Sequence, residues 1–459
     1  MADCANRREF LTQTTLAGVA GSFLLGAAPA AARTFHPPAN ERVRFASIGV
    51  GGKGESDTRD AGTLGDLVAI CDINEESLDQ MSEKFPSAKR YYDYRKLFEE
   101  MGDKIDAVTV STPDHHHAVA SIMAMKMGKH CFCQKPLTWS VEEARMMRTL
   151  AVEKRLATQM GNQGTAENGF RQGVEVIRSG AIGPVKEIHV WTNRPIWPQG
   201  ISRPTSTPGI PNELRWFEFL GPAHDRPYHP DYQPFNWRGW LDFGTGALGD
   251  MACHTINVAA MALELFDPEK IEVVDTSGIV DNESYPVWSI IRTSFGRRGD
   301  RPPLTMTWYD GGKELPESKR AFNAMLAPHD LKVPGSGLLL VGERGMFFSE
   351  NDDGAEHTLL PREQFKDYKK PEPTLPRSPG HFKEFVEAIQ SNEPGRALSN
   401  FDYAGLLTAA FLLGNVAIRT GRPFSWDGEA CKADSSAAMK YVRREYRKGW
   451  DLVGYNNTI

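Results

Sequence analysis

Residues 43–54 read VRFASIGVGGKG, a short apolar run that passes directly into a glycine-rich turn. The run is rich in Val, Ile and Phe and predicts a buried strand. Gly49, Gly51 and Gly54 then fit the pattern G-x-G-x-x-G, in which glycine permits a tight turn and lets the backbone approach a pyrophosphate. The same glycines would also suit a turn that binds no ligand, so the flanking sequence has to discriminate between the two interpretations.

The sequence after this turn alternates between helical patterns and short apolar runs. The runs LVAICD, DAVTVSTPD, KHCFCQKP and LATQMGN predict four further strands, over 67–72, 106–114, 129–136 and 156–162. Because helical patterns with short connections separate the strands, residues 41–160 predict an α/β Rossmann domain with a doubly wound parallel sheet.

Asp72 ends the second predicted strand, about twenty residues beyond the glycine-rich turn. A carboxylate at this position accepts hydrogen bonds from a ribose 2′-hydroxyl and repels a 2′-phosphate. The glycines and the acidic residue together therefore predict that the domain binds NAD rather than NADP, with Gly49, Gly51, Gly54 and Asp72 in contact with the cofactor.

The pattern changes beyond residue 160. Residues 194–247 are rich in Pro, Gly and Trp and show little periodicity, which predicts loops. Successive strand-like runs and two late helices predict a second, α+β domain over 161–425 with an antiparallel or mixed sheet, followed by a C-terminal tail over 426–459. The strand-like runs lie at 271–279, 286–295 and 303–309, and the helices at about 379–391 and 401–419.

The first 32 residues have the organisation of an export signal. Residues 6–11 read NRREFL and resemble a twin-arginine motif; an apolar stretch follows, and small residues suit cleavage after Ala30 or Ala32. An N-terminal helix of the fold is the alternative interpretation. We expect an exported, periplasmic protein with no membrane insertion after cleavage, because no later stretch is expected to span a bilayer. The net charge of −6 gives no reason to expect a nucleic acid as partner.

Two stretches, PDHHH at 113–117 and CFCQKPL at 131–137, raise the question of a metal site. Cys131 and Cys133 are expected in a strand inside a covered sheet. The three histidines begin a helix, where successive side chains diverge by about 100°, so they cannot all reach one ion. Since the paired spacing of structural zinc sites is also missing, the sequence predicts buried cysteines and no metal.

Three residues in two segments carry the expected chemistry. Lys135 ends a predicted strand at the edge where ligands of open α/β sheets bind, which favours a functional lysine over a solvated one. Asp250 and His254 lie four residues apart on a helical pattern, hence on one face, and Asn257 follows on the same stripe. A histidine beside a carboxylate can act as a general base. A capped helix with a packed histidine is the equally open alternative.

The loop region contains candidate sugar contacts. Trp197 and Trp237 occur there with Arg194 and Arg238, a combination that can stack on a sugar ring and hydrogen-bond its hydroxyls. Simple packing of the loops is nearly as good an explanation, so these four residues and Asn257 are predicted substrate contacts without a decisive signal.

Taken together, these motifs resemble the Gfo/Idh/MocA family of sugar oxidoreductases. The resemblance covers nearly all of the mature chain and is carried by the glycine turn, STPDHHHA (111–118), MGKHCFCQKPL (127–137) and GDMACH (249–254). It implies a Rossmann domain, a second domain built on an open, mostly antiparallel sheet, and assembly into a homo-oligomer.

The resemblance also implies roles for individual residues. Lys135, Asp250 and His254 would form the catalytic constellation, and Thr112 and His117 would lie near the cofactor. Two positions depart from the family pattern. Gln134, an expected cofactor contact, stands where the family has glutamate, and Ala252 stands where it has glycine.

The sequence thus predicts an exported NAD-dependent enzyme acting on a sugar or glycoside hydroxyl. His254 would take the hydroxyl proton, assisted by Asp250 and Lys135. Because no soluble pool would re-oxidise the cofactor outside the cytoplasm, we expect NAD to be held tightly and recycled in each turnover. An NAD-dependent glycosidase is the close alternative, and a non-catalytic, cofactor-bound binding protein is the alternative from a different class.

Overall fold

The structure, a computed structural model, describes residues 42–452. The predicted export signal over 1–32 and its cleavage site lie outside the described residues, as do the last seven residues of the predicted tail. The described chain builds two separate sheets, one of six strands and one of nine, with helices packed against both.

The first sheet lies in the N-terminal part of the chain, and all its neighbouring strands are parallel. Its strands are β1 (Arg44–Ile48), β2 (Asp66–Cys71), β3 (Lys89–Tyr91), β4 (Ala107–Val110), β5 (His130–Cys133) and β6 (Thr158–Met160). The order across the sheet is β3-β2-β1-β4-β5-β6, which is that of a doubly wound dinucleotide-binding sheet and confirms the predicted fold.

Five helices connect these strands. They are α1 (Lys53–Leu64), α2 (Glu75–Lys84), α3 (Tyr94–Met101), α4 (Asp114–Lys126) and α5 (Val141–Glu153). Local sequence explains where two of them begin: Asn74 accepts hydrogen bonds from the first turn of α2, and Ser140 forms a capping box with Glu143 at the start of α5. α4 is buried almost throughout, since it lies between the first sheet and the second domain.

The second sheet is mixed but mostly antiparallel, as the family resemblance implied. Its strands are β7 (Val185–Trp191), β8 (Pro268–Thr276), β9 (Ser289–Phe295), β10 (Leu304–Asp310), β11 (Gly337–Gly342), β12 (Met346–Ser349), β13 (His357–Leu360), β14 (Phe424–Asp427) and β15 (Lys432–Ala433). The order is β13-β12-β11-β7-β10-β9-β8-β14-β15, and β7 with β10 is the parallel pair of this sheet.

Eight helices accompany the second half of the chain. They are α6 (Asn168–Arg178), α7 (Trp216–Leu220), α8 (Gly246–Thr255), α9 (Asn257–Leu263), α10 (Ala321–Leu326), α11 (His381–Gln390), α12 (Phe401–Thr420) and α13 (Ser436–Val442). α11 and α12 match the two helices predicted from the sequence.

α11 belongs to the core of the first sheet although it lies far along the chain. Phe382 and Phe385 on this helix pack against Phe45 of β1 and Phe132 of β5, with ring centroids 5.0–6.3 Å apart. α12 packs against both α5 and α8. The two sheets are therefore joined through helices that come from the second half of the sequence.

α12 is long and apolar enough to cross a membrane by length and composition, contrary to the expectation from the sequence. Within the residues that the structure describes it is the one helix that meets this test, and 78% of its apolar window is buried inside the protein. Its apolar character is accounted for by contacts with neighbouring helices and with the second sheet.

A candidate active site at the carboxyl edge of the first sheet

A cavity of about 470 Å³ lies where β1, β2, β4 and β5 end. This is the edge at which ligands of doubly wound sheets bind. Eight of the residues predicted to contact cofactor or substrate, or to act in catalysis, line it: Gly49, Gly51, Asp72, Thr112, Gln134, Lys135, Trp237 and Arg238.

The glycine-rich turn has the geometry that a pyrophosphate requires. Gly49 has a φ of 77°, and a Cβ atom there would come within 2.7 Å of the Ser111 backbone. A Cβ on Gly54 would come within 2.0 Å of the Gly49 carbonyl oxygen, so the turn packs closely on itself. α1 begins at Lys53 without a side-chain cap, which leaves its N-terminus suited to an anion.

Asp72 lines the cavity and also holds the glycine turn. Its Oδ2 accepts hydrogen bonds from the N–H groups of Val50 (2.8 Å) and Gly51 (3.2 Å), and its Oδ1 accepts one from Asn74 (2.9 Å). Burial raises the pKa of this carboxyl, while the backbone donors oppose the rise. Asp72 therefore has a structural role, the anchoring of the loop, that the sequence did not predict.

Thr112 and His117 differ in their relation to the cavity. The Thr112 hydroxyl lies at the cavity wall and is buried, with no hydrogen-bond partner among residues 42–452. His117 lies behind the wall, where its ring nitrogens are 2.8 Å from the Thr112 carbonyl oxygen and 2.7 Å from that of Pro136. Burial lowers the pKa of His117 to about 4. His117 thus links the ends of β4 and β5 and does not face a cofactor directly.

The departure at Gln134 has a local explanation in Asp57. The Gln134 Nε2 donates to Oδ2 of Asp57 (2.8 Å), the Ser111 hydroxyl donates to the same oxygen (2.8 Å), and Lys53 pairs with Oδ1 (2.9 Å). Asp57 is 1% exposed. A glutamate at 134 would place two carboxylates in contact at a buried site, which is unfavourable unless one is protonated. The amide is therefore the side chain that matches Asp57.

Lys135 forms an ion pair with Asp250. The two atoms Nζ and Oδ1 are 2.7 Å apart, and the Arg238 Nε lies 3.4 Å from the same oxygen. Burial raises the pKa of Asp250, but the charges of Lys135 and Arg238 outweigh it and lower the pKa to about 2. For Lys135, burial lowers the pKa and Asp250 raises it, with a net rise. Lys135 is therefore a cation suited to stabilising a negative oxygen.

His254 takes its hydrogen bond from a residue that the sequence did not indicate. Its Nδ1 lies 3.0 Å from Oδ1 of Asp353, in the turn between β12 and β13. The predicted partner Asp250 does share a face of α8 with His254, but it is engaged with Lys135 and Arg238. The prediction that Asp250 directly orients the imidazole is therefore wrong. Asp353 lies 99 residues along the chain, where no spacing pattern connects it to His254.

Arg238 and three aromatic rings form one wall of the cavity. The guanidinium lies 4.2 Å from the ring centroid of Trp237, 4.6 Å from that of Phe235 and 5.8 Å from that of Trp197. Trp237, Arg238 and Phe235 line the cavity. Trp197 is buried behind them, with its Nε1 donating to Gln199, so it supports the wall without lining it.

Two predicted substrate contacts lie elsewhere. Asn257 is 2% exposed, and its amide donates to the Thr165 hydroxyl and accepts a hydrogen bond from Tyr403. It begins α9, because α8 ends at Thr255, so the stripe expected from the sequence is interrupted. Arg194 follows β7 and bonds its neighbour Asn193, away from the cavity lining. Neither residue lines the cavity, so their substrate contacts stay a prediction.

The cysteines and histidines of the metal question have other partners. Cys131 and Cys133 are fully buried in β5, and all cysteines among the described residues are free thiols. His115 and His116 both face the carbonyl oxygen of Phe219 at 2.8 Å. Across residues 42–452, no group of three or more His, Cys, Asp or Glu side chains is arranged to hold a metal ion.

Comparison with known families identifies both halves of the chain. Residues 43–162 match the model described as "Oxidoreductase family, NAD-binding Rossmann fold", and residues 191–296 match the corresponding "C-terminal alpha/beta domain". The chain belongs to the Gfo/Idh/MocA family. The glycine turn, Asp72 and the unpartnered Thr112 hydroxyl are the features of this structure that fit NAD, the cofactor of the family's first domain.

Relatives with assigned activities are of two kinds. The chain is 27% identical over 158 residues to a myo-inositol 2-dehydrogenase of Thermotoga maritima, covering 34% of this chain and 47% of that protein. It is 37% identical over 117 residues to an alpha-N-acetylgalactosaminidase of Shewanella oneidensis, covering 23% of this chain and 25% of that one. Each alignment spans less than half of the relative's length.

Among solved structures, the WlbA dehydrogenase of Bordetella pertussis, in complex with NADH and UDP-GlcNAcA, superposes with a TM-score of 0.56 at 15% identity. The match covers 84% of this chain and 99% of that one. At this identity the likeness establishes the two-domain fold.

The role of Asp72 leads to a first prediction about cofactor choice. Asp72→Asn keeps an oxygen for the Val50 and Gly51 N–H groups but removes the charge, so we expect NAD affinity to fall about tenfold and discrimination against NADP to shrink. Asp72→Ser should weaken both nucleotides, because the loop loses its anchor. Titration of both nucleotides against these variants measures the effect, with the exposed Asp79→Asn as control. Equal binding of NAD and NADP to the wild type would contradict it.

Proposed function

We propose that this protein is an exported NAD-dependent oxidoreductase that acts on a carbinol of a sugar or glycoside and recycles a retained cofactor. The observation that carries the proposal is the ion pair between Lys135, which lines the cavity together with the glycine turn, and Asp250, whose charge acts on the neighbouring His254. A cation and an imidazole near a dinucleotide site are the groups that carbinol oxidation requires.

The chain's own residues divide the work between them. His254 in its neutral form accepts the hydroxyl proton of the substrate. Lys135 donates a hydrogen bond to the same oxygen and stabilises the negative charge that develops there. Asp250 keeps Lys135 protonated and oriented, and Arg238 pairs with the same oxygen of Asp250.

NAD, when bound, supplies the acceptor for the hydride of the carbinol carbon. Gly49, Gly51 and the N-terminus of α1 would hold its pyrophosphate, and Asp72 its adenosine ribose. Lys135 lines the same cavity, just beyond the carboxyl end of β5.

A sugar substrate is supported by the wall around Arg238. Trp237 and Phe235 offer apolar rings, and Phe235 is 43% exposed at the cavity mouth. Aromatic faces stack on the C–H faces of sugar rings, and the guanidinium can donate to hydroxyl or carboxylate groups. The known dehydrogenase and glycosidase relatives agree with this substrate class.

Retention of the cofactor is supported by two segments that contribute residues to the cavity wall. We call residues 212–221 the strap and residues 443–452 the tail segment. In the strap, Arg215 N–H donates to the Ile73 carbonyl (2.9 Å), and the Glu213 carbonyl accepts from Glu75 N–H (2.9 Å). The strap is thus paired to the loop that follows β2, beside Asp72.

The tail segment locks the strap in place. Arg447 donates to the carbonyl oxygens of Phe217 and Gly221, each at 2.8 Å. Trp450 is 1% exposed and packs edge-on against Tyr94 and His116 at the cavity wall. A dinucleotide in the cavity would lie against both segments, and these contacts support its retention and recycling within the site.

Export rests on residues 6–11, NRREFL, and the apolar stretch after them. A protein that folds before export can carry its cofactor with it. Assembly into a homo-oligomer through the outer face of the second sheet, as the resemblance implied, is also part of the proposal.

An NAD-dependent glycosidase is the second candidate, favoured by the likeness to the alpha-N-acetylgalactosaminidase. Both candidates begin with the same oxidation at the same residues. The pairing with Asp57 gives Gln134 a structural explanation, so this position no longer favours a binding protein without turnover.

The test uses full-length protein, purified without added nucleotide and dialysed. We expect about one NAD(H) per chain to remain. Such retention needs a dissociation constant far below the protein concentration, and a constant of about 1 nM corresponds to a binding free energy of about −12 kcal/mol. Turnover of aryl glycosides, or of sugar donor–acceptor pairs, should then need no added NAD. A deuterium on the oxidised carbon should slow the reaction where hydride transfer limits the rate.

Two results would count against the proposal. Empty protein that consumes added NAD in step with sugar would leave an ordinary dehydrogenase and remove the recycling. The second result is that no sugar or glycoside changes the absorbance of the reduced nicotinamide and that no product forms. This result would favour a non-catalytic binding protein.

A further inference from the structure

We propose that Asp353 is the positioning residue of His254, holding Nδ1 so that Nε2 exchanges the substrate proton. This inference rests on the proposed function and adds a residue from outside the first domain and α8. Asp353 lies in the turn after β12, whereas Lys135 follows the end of β5 and Asp250 lies on α8.

The first support is that the carboxylates of Asp353 and Asp250 have different partners. Oδ1 of Asp353 is 3.0 Å from Nδ1 of His254. Oδ1 of Asp250 is engaged with Lys135 at 2.7 Å and with Arg238 at 3.4 Å. Each catalytic group therefore has its own carboxylate. A neutral imidazole whose Nδ1–H donates to a carboxylate has its lone pair on Nε2, which is the form a general base needs.

The second support is the way the chain makes room for Asp353. A Cβ on Gly164 would come within 2.4 Å of the Asp353 Oδ1, and the following Gly354 has a φ of 71°. A Cβ on Gly354 would come within 2.8 Å of Val258 on α9. The Ser349 hydroxyl donates to the Glu356 carbonyl (2.8 Å) and closes the turn. The close packing of the turn thus fixes the position of Asp353 beside His254 of α8.

The third support is the balance of charge at His254. Burial and the Lys135 cation lower the imidazole pKa, whereas the Cys253 sulfur and the Asp353 hydrogen bond raise it, to a net value of about 10. Asp250 on the same helix is a further negative charge, and His381 of α11 is a neighbouring imidazole whose pKa is lowered, mainly by burial, to about 4. The negative charge of Asp353 counteracts the positive charge of Lys135. Asp353 therefore favours the protonated form of His254.

The sign of the expected effect follows from this balance. Oxidation needs the neutral imidazole, so its rate should rise with pH as His254 loses its proton. Removing the Asp353 charge lowers the pKa of His254 and moves that rise to lower pH. The hydrogen-bond acceptor remains in Asp353→Asn, so the imidazole keeps its orientation.

The test follows the His254 imidazole directly by NMR titration, with its signal assigned by its loss in His254→Gln. We expect the midpoint to fall by at least one pH unit in Asp353→Asn and to stay unchanged in Asp352→Asn, the neighbouring carboxylate. Gly164→Ala, which alters no charge, should displace Asp353 and lower the midpoint as well. In Asp353→Asn and in Gly164→Ala, the pH profile of the oxidation rate should shift in the same direction as the His254 midpoint.

The outcomes separate the two proposals. An unchanged His254 midpoint in Asp353→Asn, in protein whose thermal unfolding shows it to be folded, overturns the inference. If Asp353→Asn does not fold, an unchanged midpoint in Gly164→Ala overturns it instead. A shifted midpoint in a protein that turns over no sugar or glycoside keeps the Asp353–His254 assignment and removes the proposed function.

Discussion

Lys135→Met is expected to lower turnover by roughly a hundredfold or more, the scale for a positioned catalytic group. The methionine preserves much of the side-chain volume but cannot donate to the carbinol oxygen. It also leaves Asp250 with Arg238 alone, at 3.4 Å, in a site where the Asp250 side chain is 13% exposed. Breaking such a pair from one side destabilises a protein by about 3 kcal/mol. The turnover rate and the unfolding temperature should therefore both fall.

A double variant separates these two effects. Lys135→Met combined with Asp250→Asn removes both charges, so the unfolding temperature should return towards that of the wild type while turnover stays lost. NAD binding should be retained in both variants, because the glycine turn and Asp72 are untouched. Near-normal turnover in the folded single variant would remove Lys135 from the mechanism.

The second large effect is expected for Arg447→Ala, which should release the cofactor about a hundredfold faster. Arg447 is buried and donates to Phe217, Gly221 and the Asp225 carboxylate, each at 2.8 Å. Bonds from a charged donor contribute about 1.5–3 kcal/mol each, and about 3 kcal/mol corresponds to a hundredfold. Loss of these bonds frees the strap from the tail segment.

The measurement is the nucleotide content after dialysis, followed by the release rate from reduced-nicotinamide fluorescence. Arg443→Ala provides the control, since Arg443 lies in the same segment, is largely exposed and pairs with Glu142 instead of the strap. Equal retention in the two variants would show that the strap does not hold the cofactor.

What the sequence could predict depended on how local the signal was. The glycine turn, β2 with Asp72 directly after it, and the apolar helix α12 are each encoded in a continuous stretch, and each appears where expected. β3 has three residues, Lys-Arg-Tyr, and too little apolar character to be recognised. β7 pairs with β10 and β11, which lie far along the chain, so no local pattern marked these strands as one sheet.

The same distinction applies to the site. Lys135 and Asp250 were found because family motifs surround them, and Arg238 because aromatic residues flank it. Asp353 lies in the turn after β12, and its contact with His254 depends on how two distant segments pack. Asn257 lies off the expected helical stripe because α8 breaks before it, a change that helical spacing does not reveal.

The position of α11 has a consequence for how the protein is made. Phe382 and Phe385 complete the aromatic cluster on Phe45 and Phe132, so the first sheet lacks part of its core until the ribosome has passed residue 390. The strap and the tail segment are added at positions 212–221 and 443–452. A nascent chain released early would expose apolar surface and hold no dinucleotide. Completion of synthesis and completion of the nucleotide site thus become a single event in the life of the chain.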